Sequence, residues 1–149
     1  MSSEQAASVR PKPAIAYAIQ TVAAFLALAN SAYAIYAVSQ FGKLGAMVLG
    51  GTFLVSTLVA VASIRVFLGL SSRPFKSRVP VSLYLWAMLF LYPVTYLLRS
   101  LGAFSPAPYV ESDQLFGAWI MEMGRYALFP ILIVWVAISK RLVSFLATR

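Results

Sequence analysis

Four apolar stretches of about 20 residues or more divide this chain of 149 residues, and they restrict its fold more than any other feature. They cover approximately residues 13–38, 44–70, 79–98 and 115–139. A helix needs about 20 apolar residues to cross a hydrocarbon core of about 30 Å. Hydrophobic residues make up 61% of the chain and charged residues 11%, whereas soluble domains hold about half and about a quarter. We therefore predict an all-α polytopic membrane protein with four transmembrane helices.

The connections between these stretches are short. They comprise residues 39–43, a basic loop at 70–78 and a longer loop at 100–113 that contains two prolines. Short connections favour antiparallel neighbours, so an up-down-up-down bundle over residues 13–149 is expected. The polar residues 1–12 are predicted to form a disordered cytoplasmic tail.

The distribution of basic residues predicts the orientation of the bundle. With four spans, eight basic residues fall on the side that holds both termini and the middle loop. They are Arg10, Lys12, Arg73, Lys76, Arg78, Lys140, Arg141 and Arg149. The opposite side has Lys43 and Arg99, together with the acidic Glu111 and Asp113. Because cytoplasmic loops carry an excess of Lys and Arg, both termini are expected in the cytoplasm.

Residues 10–34 also resemble a cleavable signal peptide, with a basic start, an apolar middle and the sequence AYA at 32–34. The apolar region of a cleavable signal is usually about 7–15 residues long. This one is longer and continues through residue 38. An uncleaved first span is therefore the favoured interpretation.

The composition argues against several kinds of chemistry. The chain contains no Cys and no His, which removes the usual ligands of zinc and haem. It also lacks the G-x-S-x-G, P-loop and H-E-x-x-H motifs. We expect a protein that is not an enzyme and binds no cofactor or metal. The net charge of +8 is explained by membrane topology, since the basic residues flank apolar runs, and no nucleic-acid partner is expected.

Small residues follow one side of the first and second spans. Such residues let helix backbones approach closely in lipid. The predicted packing positions are Ala23, Ala27, Ser31, Gly50 and Gly51. Asn30 lies beside the first group and could form an interhelical hydrogen bond worth about 1 kcal/mol or contact a polar substrate.

Three charged residues lie within the apolar stretches. Glu122 and Arg125 are three positions apart, which places them on one helix face. Residue counting puts them in the outer leaflet, where they can neutralise each other while Arg125 extends toward the interface. Alternatively they face the bundle interior or a partner, since intramembrane charge is often functional. Arg65 is near the cytoplasmic end of the second span and either extends to the interface or has a buried partner.

Pro93 and Pro130 fall inside the third and fourth stretches. Each removes a backbone hydrogen bond and is expected to bend its helix. Broken helices can line transport sites, but proline is also frequent in ordinary membrane helices.

Basic residues on the cytoplasmic side have a second possible role besides setting topology. Each basic residue near a membrane surface attracts anionic lipid with about 1 kcal/mol. The candidates for contact with lipid headgroups are Arg73, Lys76, Arg78, Lys140 and Arg141.

Two segments carry a family resemblance. VFLGLSSRPFKSRVP at 66–80 and ISKRLVSF at 138–145 are similar to segments of small four-span bacterial inner-membrane proteins known as "domain of unknown function 2569". Pro74 precedes Phe75 here instead of following it, Phe145 comes one position early, and the Gly-Trp that often opens the first span is absent. The resemblance implies four spans in a bacterial inner membrane. It implies no activity, and no functional residue carries over.

Two functions are consistent with these features. The first is a non-catalytic accessory or structural subunit that binds other membrane subunits or further copies of itself. The second is a small oligomeric transporter or channel for a solute or lipid, based on the prolines, Asn30 and the Glu122–Arg125 pair. The two differ in the position of their polar residues, because transporters gather them around a cavity at mid-depth.

Overall fold

The computed structural model describes residues 11–39, 46–71, 75–100 and 112–147, with their side chains except at 46–50, 52, 92, 95–100 and 112–122. Five helices and no strand occur in these residues, which confirms the all-α class for the described part of the chain. The helices are α1 (Ala14–Ser39), α2 (Ala46–Gly69), α3 (Val79–Ser100), α4 (Ser112–Ile138) and α5 (Lys140–Ala147). The predicted tail, apart from residues 11 and 12, lies outside the described residues, and so do residues 40–43 of the first predicted loop and 101–111 of the third. The other residues of these two loops, 39, 100, 112 and 113, belong to helices.

Length and apolar character single out α1 as a helix able to cross a membrane, within the described residues. Met123–Ile138 and α5 together form a second candidate, which is bent by 67° at the break between them. Shorter apolar helical segments occur at Phe53–Gly69 and Val79–Leu91. One or two of the four predicted spans are thus present as span candidates in the described part.

Three polar contacts show where successive helices meet. Gln20 near the start of α1 bonds to the end of α2. Ser63 late in α2 bonds to Tyr84 early in α3. Arg78, just before α3, bonds to Ala137 near the end of α4. The start of α1, the end of α2, the start of α3 and the end of α4 therefore lie at one end of the molecule.

A continuous apolar core occupies this same end. Every helix contributes to it: Ile15, Ala16, Ile19 and Ala23 from α1, Val59, Val66 and the adjoining Leu70 from α2, Val81, Tyr84, Leu85 and Met88 from α3, Phe129, Leu132 and Val136 from α4, and Leu142, Phe145 and Leu146 from α5. We call this end of the molecule the basic end, because the segments that form the core there carry Lys12, Lys76, Arg78, Lys140 and Arg141 at or near their ends.

The short helix α5 was not predicted. The fourth apolar stretch was expected to end near Ser139, and α4 does end at Ile138. Ser139 then caps a new helix, since its Oγ accepts a hydrogen bond from the Leu142 amide at 3.2 Å. The buried residues Leu142, Phe145 and Leu146 are three and four positions apart, which places them on one face. The chain therefore turns sharply and lays an amphipathic helix against the core.

Candidate functional site

The end of α2 has a partner for each of its last four carbonyl groups. The last four carbonyl groups of a helix have no amide donor within the helix itself. The amides of Leu70 and Ser71 donate to Val66 and Leu68, each at 3.1 Å, and the Phe75 amide donates to Gly69 at 3.2 Å. The remaining carbonyl, that of Phe67, accepts from the side chain of Gln20 in α1 at 3.0 Å. A residue of the neighbouring helix thus completes the C-terminus of α2.

Gln20 is the centre of a small polar network. Its side chain is only 8% exposed. Besides Phe67, its Nε2 donates to the hydroxyl of Ser71, and its Oε1 accepts from the ammonium group of Lys12. Lys12 also lies 4.8 Å from the ring centre of Tyr17. The network ties the start of α1 to the end of α2, and sequence reasoning missed it although Gln20 is an amide within an apolar run.

Asn30, for which an interhelical hydrogen bond or a substrate contact was predicted, bonds within its own helix. Its Nδ2 donates to the Leu26 carbonyl of its own helix at 2.8 Å. Ala23 and Ala27 are buried and Ser31 is half-buried. Gly51 is half-buried, and the environment of Gly50 lies outside the described residues.

Ser63 and Tyr84 form the second buried polar contact. Their hydroxyl oxygens are 2.9 Å apart, and the two side chains are buried between α2 and α3. In lipid, where apolar surfaces gain little by associating, such bonds help to fix helix pairing.

A cleft of about 340 Å³ opens between α2 and α3. Its lining is almost wholly apolar and includes Phe75, Leu83, Ala87 and Met88, with Arg65 as the charged exception. The ring of Phe75 lies directly over Gly69, where a Cβ atom would collide with it. A side chain at this position would have to displace the Phe75 ring, which also lines the cleft.

Arg65 is exposed. Lys76, Lys140 and Arg141 are also exposed, and the exposed Arg78 uses its Nη1 to donate to the Ala137 carbonyl at 2.7 Å. Arg73 lies outside the described residues. Residues 5–110 and 123–149 contain no Asp or Glu. The basic end therefore has a positive charge that the neighbouring sequence does not balance.

The remaining candidates lie on α3 and α4. Glu122 and Arg125 both belong to α4, as predicted for one helix. Arg125 is half-buried, while the contacts of Glu122 lie outside the described side chains. Pro93 is exposed within α3 and Pro130 is half-buried within α4, and both helices continue through them. The sharp bend occurs at Ser139 instead.

A metal site is not formed by the described residues, which contain no group of three or more His, Cys, Asp or Glu side chains. No family model, curated protein or solved structure matches the chain. Its function is therefore inferred from the residues and contacts above.

Proposed function

We propose that the chain is a four-span integral protein of a bacterial inner membrane, with both termini in the cytoplasm, and that it is a non-catalytic accessory or structural subunit of a larger membrane complex. Helix length supports the four spans. At about 1.5 Å per residue, the 22 residues of α3 extend about 33 Å and the 27 residues of α4 about 40 Å. Both exceed the hydrocarbon thickness of about 30 Å.

The basic end supports the orientation. The start of α1, the α2–α3 connection and α5 meet there and bring their basic residues together. Lys and Arg accumulate on the cytoplasmic side of membrane proteins. The basic end is accordingly the cytoplasmic end in this proposal.

The observation that carries the accessory role is the outer half of α1. Beyond Ala27, Leu28 is 74% exposed and Ile35 is 71% exposed, with Tyr33 and Tyr36 also exposed. The residues of α1 that join the continuous core lie at the other end of this helix, between Ile15 and Ala23, and Ala37 is the buried hydrophobic residue beyond Ala27. Aromatic residues are enriched at the buried centres of protein interfaces, so this face has the composition of a surface that contacts another membrane subunit or a second copy.

The alternative function, a small oligomeric transporter or channel, requires polar side chains around a cavity. The α2–α3 cleft is apolar apart from Arg65, and the Asn30 amide donates within its own helix. The described contacts thus favour the accessory role over transport.

The test uses the natural absence of cysteine. A single cysteine at the exposed Ile35 should give a specific crosslink to a neighbouring subunit in native membranes. A matched cysteine at the exposed Leu128 of α4, away from this face, should not. Native mass spectrometry after gentle solubilisation should show the same complex at fixed stoichiometry. A monomer in both experiments would contradict the accessory role.

Orientation is tested separately with reporter fusions. Green fluorescent protein should be fluorescent when joined after residue 78 or residue 149, and alkaline phosphatase should be active when joined after residue 43 or residue 105. The reverse pattern would contradict the assigned orientation.

A further inference from the structure

The α2–α3 cleft has the length of one membrane leaflet. It begins beside Pro80 and extends to Met88 on α3. These positions are eight residues apart, or about 12 Å along a helix. Half of a hydrocarbon core measures about 15 Å.

In the proposed orientation, the charged group of the cleft lies near the level where lipid headgroups begin. Arg65 comes four residues before the end of α2 at Gly69, which is about 6 Å along the helix axis. Arginine can extend over such a distance to the interface. Lys76 follows in the adjoining loop and is exposed. Because residues 5–110 contain no carboxylate, an anion from outside this segment is the complementary partner.

The cleft is smaller than one turn of a helix. A helix with its side chains is about 10–12 Å across and rises about 5.4 Å per turn, so one turn occupies about 400–600 Å³, compared with about 340 Å³ for the cleft. A single hydrocarbon chain fits an apolar cleft of this volume. Phe75, Leu83 and Met88 offer it the surfaces that an acyl chain contacts.

We propose that the cleft binds one acyl chain of an anionic glycerophospholipid from the cytoplasmic leaflet and that Arg65 binds the phosphate of its headgroup. A guanidinium group can donate two parallel hydrogen bonds to phosphate, which an ammonium group cannot. This inference rests on the proposed membrane location and orientation, but it does not depend on the accessory role.

The test measures lipid retention. The full chain is reconstituted in vesicles of equal parts phosphatidylglycerol and phosphatidylcholine with identical acyl chains, solubilised gently, and analysed by native mass spectrometry. The wild type should retain phosphatidylglycerol in preference to phosphatidylcholine. Arg65→Gln should reduce that preference about five-fold, as expected for one basic residue near an anionic surface. The preference of Arg65→Lys should lie between those of the wild type and Arg65→Gln.

Two control pairs separate the site from general surface attraction. Arg141→Gln removes an exposed charge at the same end but outside the cleft, so it loses only general surface attraction and should reduce the preference less than Arg65→Gln does. Ala87→Phe fills the cleft and should reduce retention of both lipids, whereas Ala127→Phe on exposed α4 surface should not. Equal effects of Arg65→Gln and Arg141→Gln, or unchanged retention in Ala87→Phe, would overturn the lipid site.

A carbonate-extraction control distinguishes failure of the lipid site from failure of the proposed membrane location. The wild type and all variants should stay in the membrane fraction after carbonate extraction. If the wild type is extracted, the membrane location is wrong and the lipid site is rejected with it. If it stays but shows no lipid preference, only the lipid site is rejected.

Discussion

The side-chain amide of Gln20 in α1 donates a hydrogen bond to the backbone carbonyl of Phe67 in α2, over 3.0 Å. This one contact gives the C-terminus of α2 a partner that its own helix cannot supply. It also places the first turns of α1 beside the last turn of α2.

Gln20→Leu should lower the free energy of unfolding by about 1 kcal/mol, because it removes a cross-helix bond in lipid. The measurement is helix loss by circular dichroism during titration with SDS in mixed micelles. Thr21→Val is the control, since the Thr21 hydroxyl is exposed and bonds within its own helix. An equal loss in both variants would contradict a cross-helix role for Gln20.

The Ser63–Tyr84 bond should produce a measurable coupling. In a double-mutant cycle of Ser63→Ala and Tyr84→Phe, the interaction energy should be about 0.6 kcal/mol and no more than about 1.7 kcal/mol. Both substitutions keep the shape of the side chain apart from the hydroxyl group. Strict additivity would show that the two hydroxyl groups contribute independently of each other.

Gly69→Ala should destabilise the protein by about 1–3 kcal/mol, the usual cost of overpacking, because the new methyl group collides with the Phe75 ring. Gly124→Ala is the control, since a Cβ there has no atom within 4 Å, and it should be neutral or stabilising by up to about 1 kcal/mol. Phe75→Ala in the Gly69→Ala background should recover part of the loss. If it recovers none, the collision is not the cause.

The core contribution of α5 can be tested at Phe145. Phe145→Ala should cost about 3 kcal/mol, since the ring is buried and its loss leaves a cavity. Val143→Ala, on the exposed face of the same helix, should change stability by less than about 0.5 kcal/mol. The SDS titration used for Gln20 measures both. If both substitutions change the stability by similarly small amounts, α5 is not anchored to the core.

Glu122→Gln tests the ion pair predicted from sequence. We expect the variant to insert into the membrane normally but to assemble less well with its partner, because an intramembrane charge at a functional face is costly to leave unmatched. Carbonate extraction measures insertion and native mass spectrometry measures assembly. Glu111→Gln, outside the predicted spans, is the control. Wild-type behaviour in both assays would reject a functional role for the pair.

Sequence patterns predicted the long helices closely. The stretch at 79–98 corresponds to α3 at Val79–Ser100, and the stretch at 13–38 to α1 at Ala14–Ser39. Such runs are predictable because their length and apolar content are local properties of the chain. The antiparallel order expected from the short connections stays a prediction.

Tertiary contacts were less predictable. Gln20 and Asn30 are both amides within α1, but only the rotation of the helix decides which of them contacts α2. Gln20 also bonds to a backbone carbonyl, and a backbone acceptor leaves no sequence signal. The α2–α3 cleft depends on the distance between two helices, which no local pattern determines.

The segment that forms α5 has only eight residues and begins with two basic side chains. In a sequence it resembles the charged flank that follows any membrane span. Its buried face is defined by the apolar core that Leu142, Phe145 and Leu146 join, and that core is assembled from distant parts of the chain.

That shared surface has a consequence for biosynthesis. Ile15 from α1 and Leu146 from α5 belong to one core, so almost the whole chain must leave the ribosome before the core can close. Until then, the part of the core that Leu142, Phe145 and Leu146 complete remains open. Quality control during synthesis would therefore detect a chain truncated before α5, and such a chain should be degraded even though all of its long helices are present.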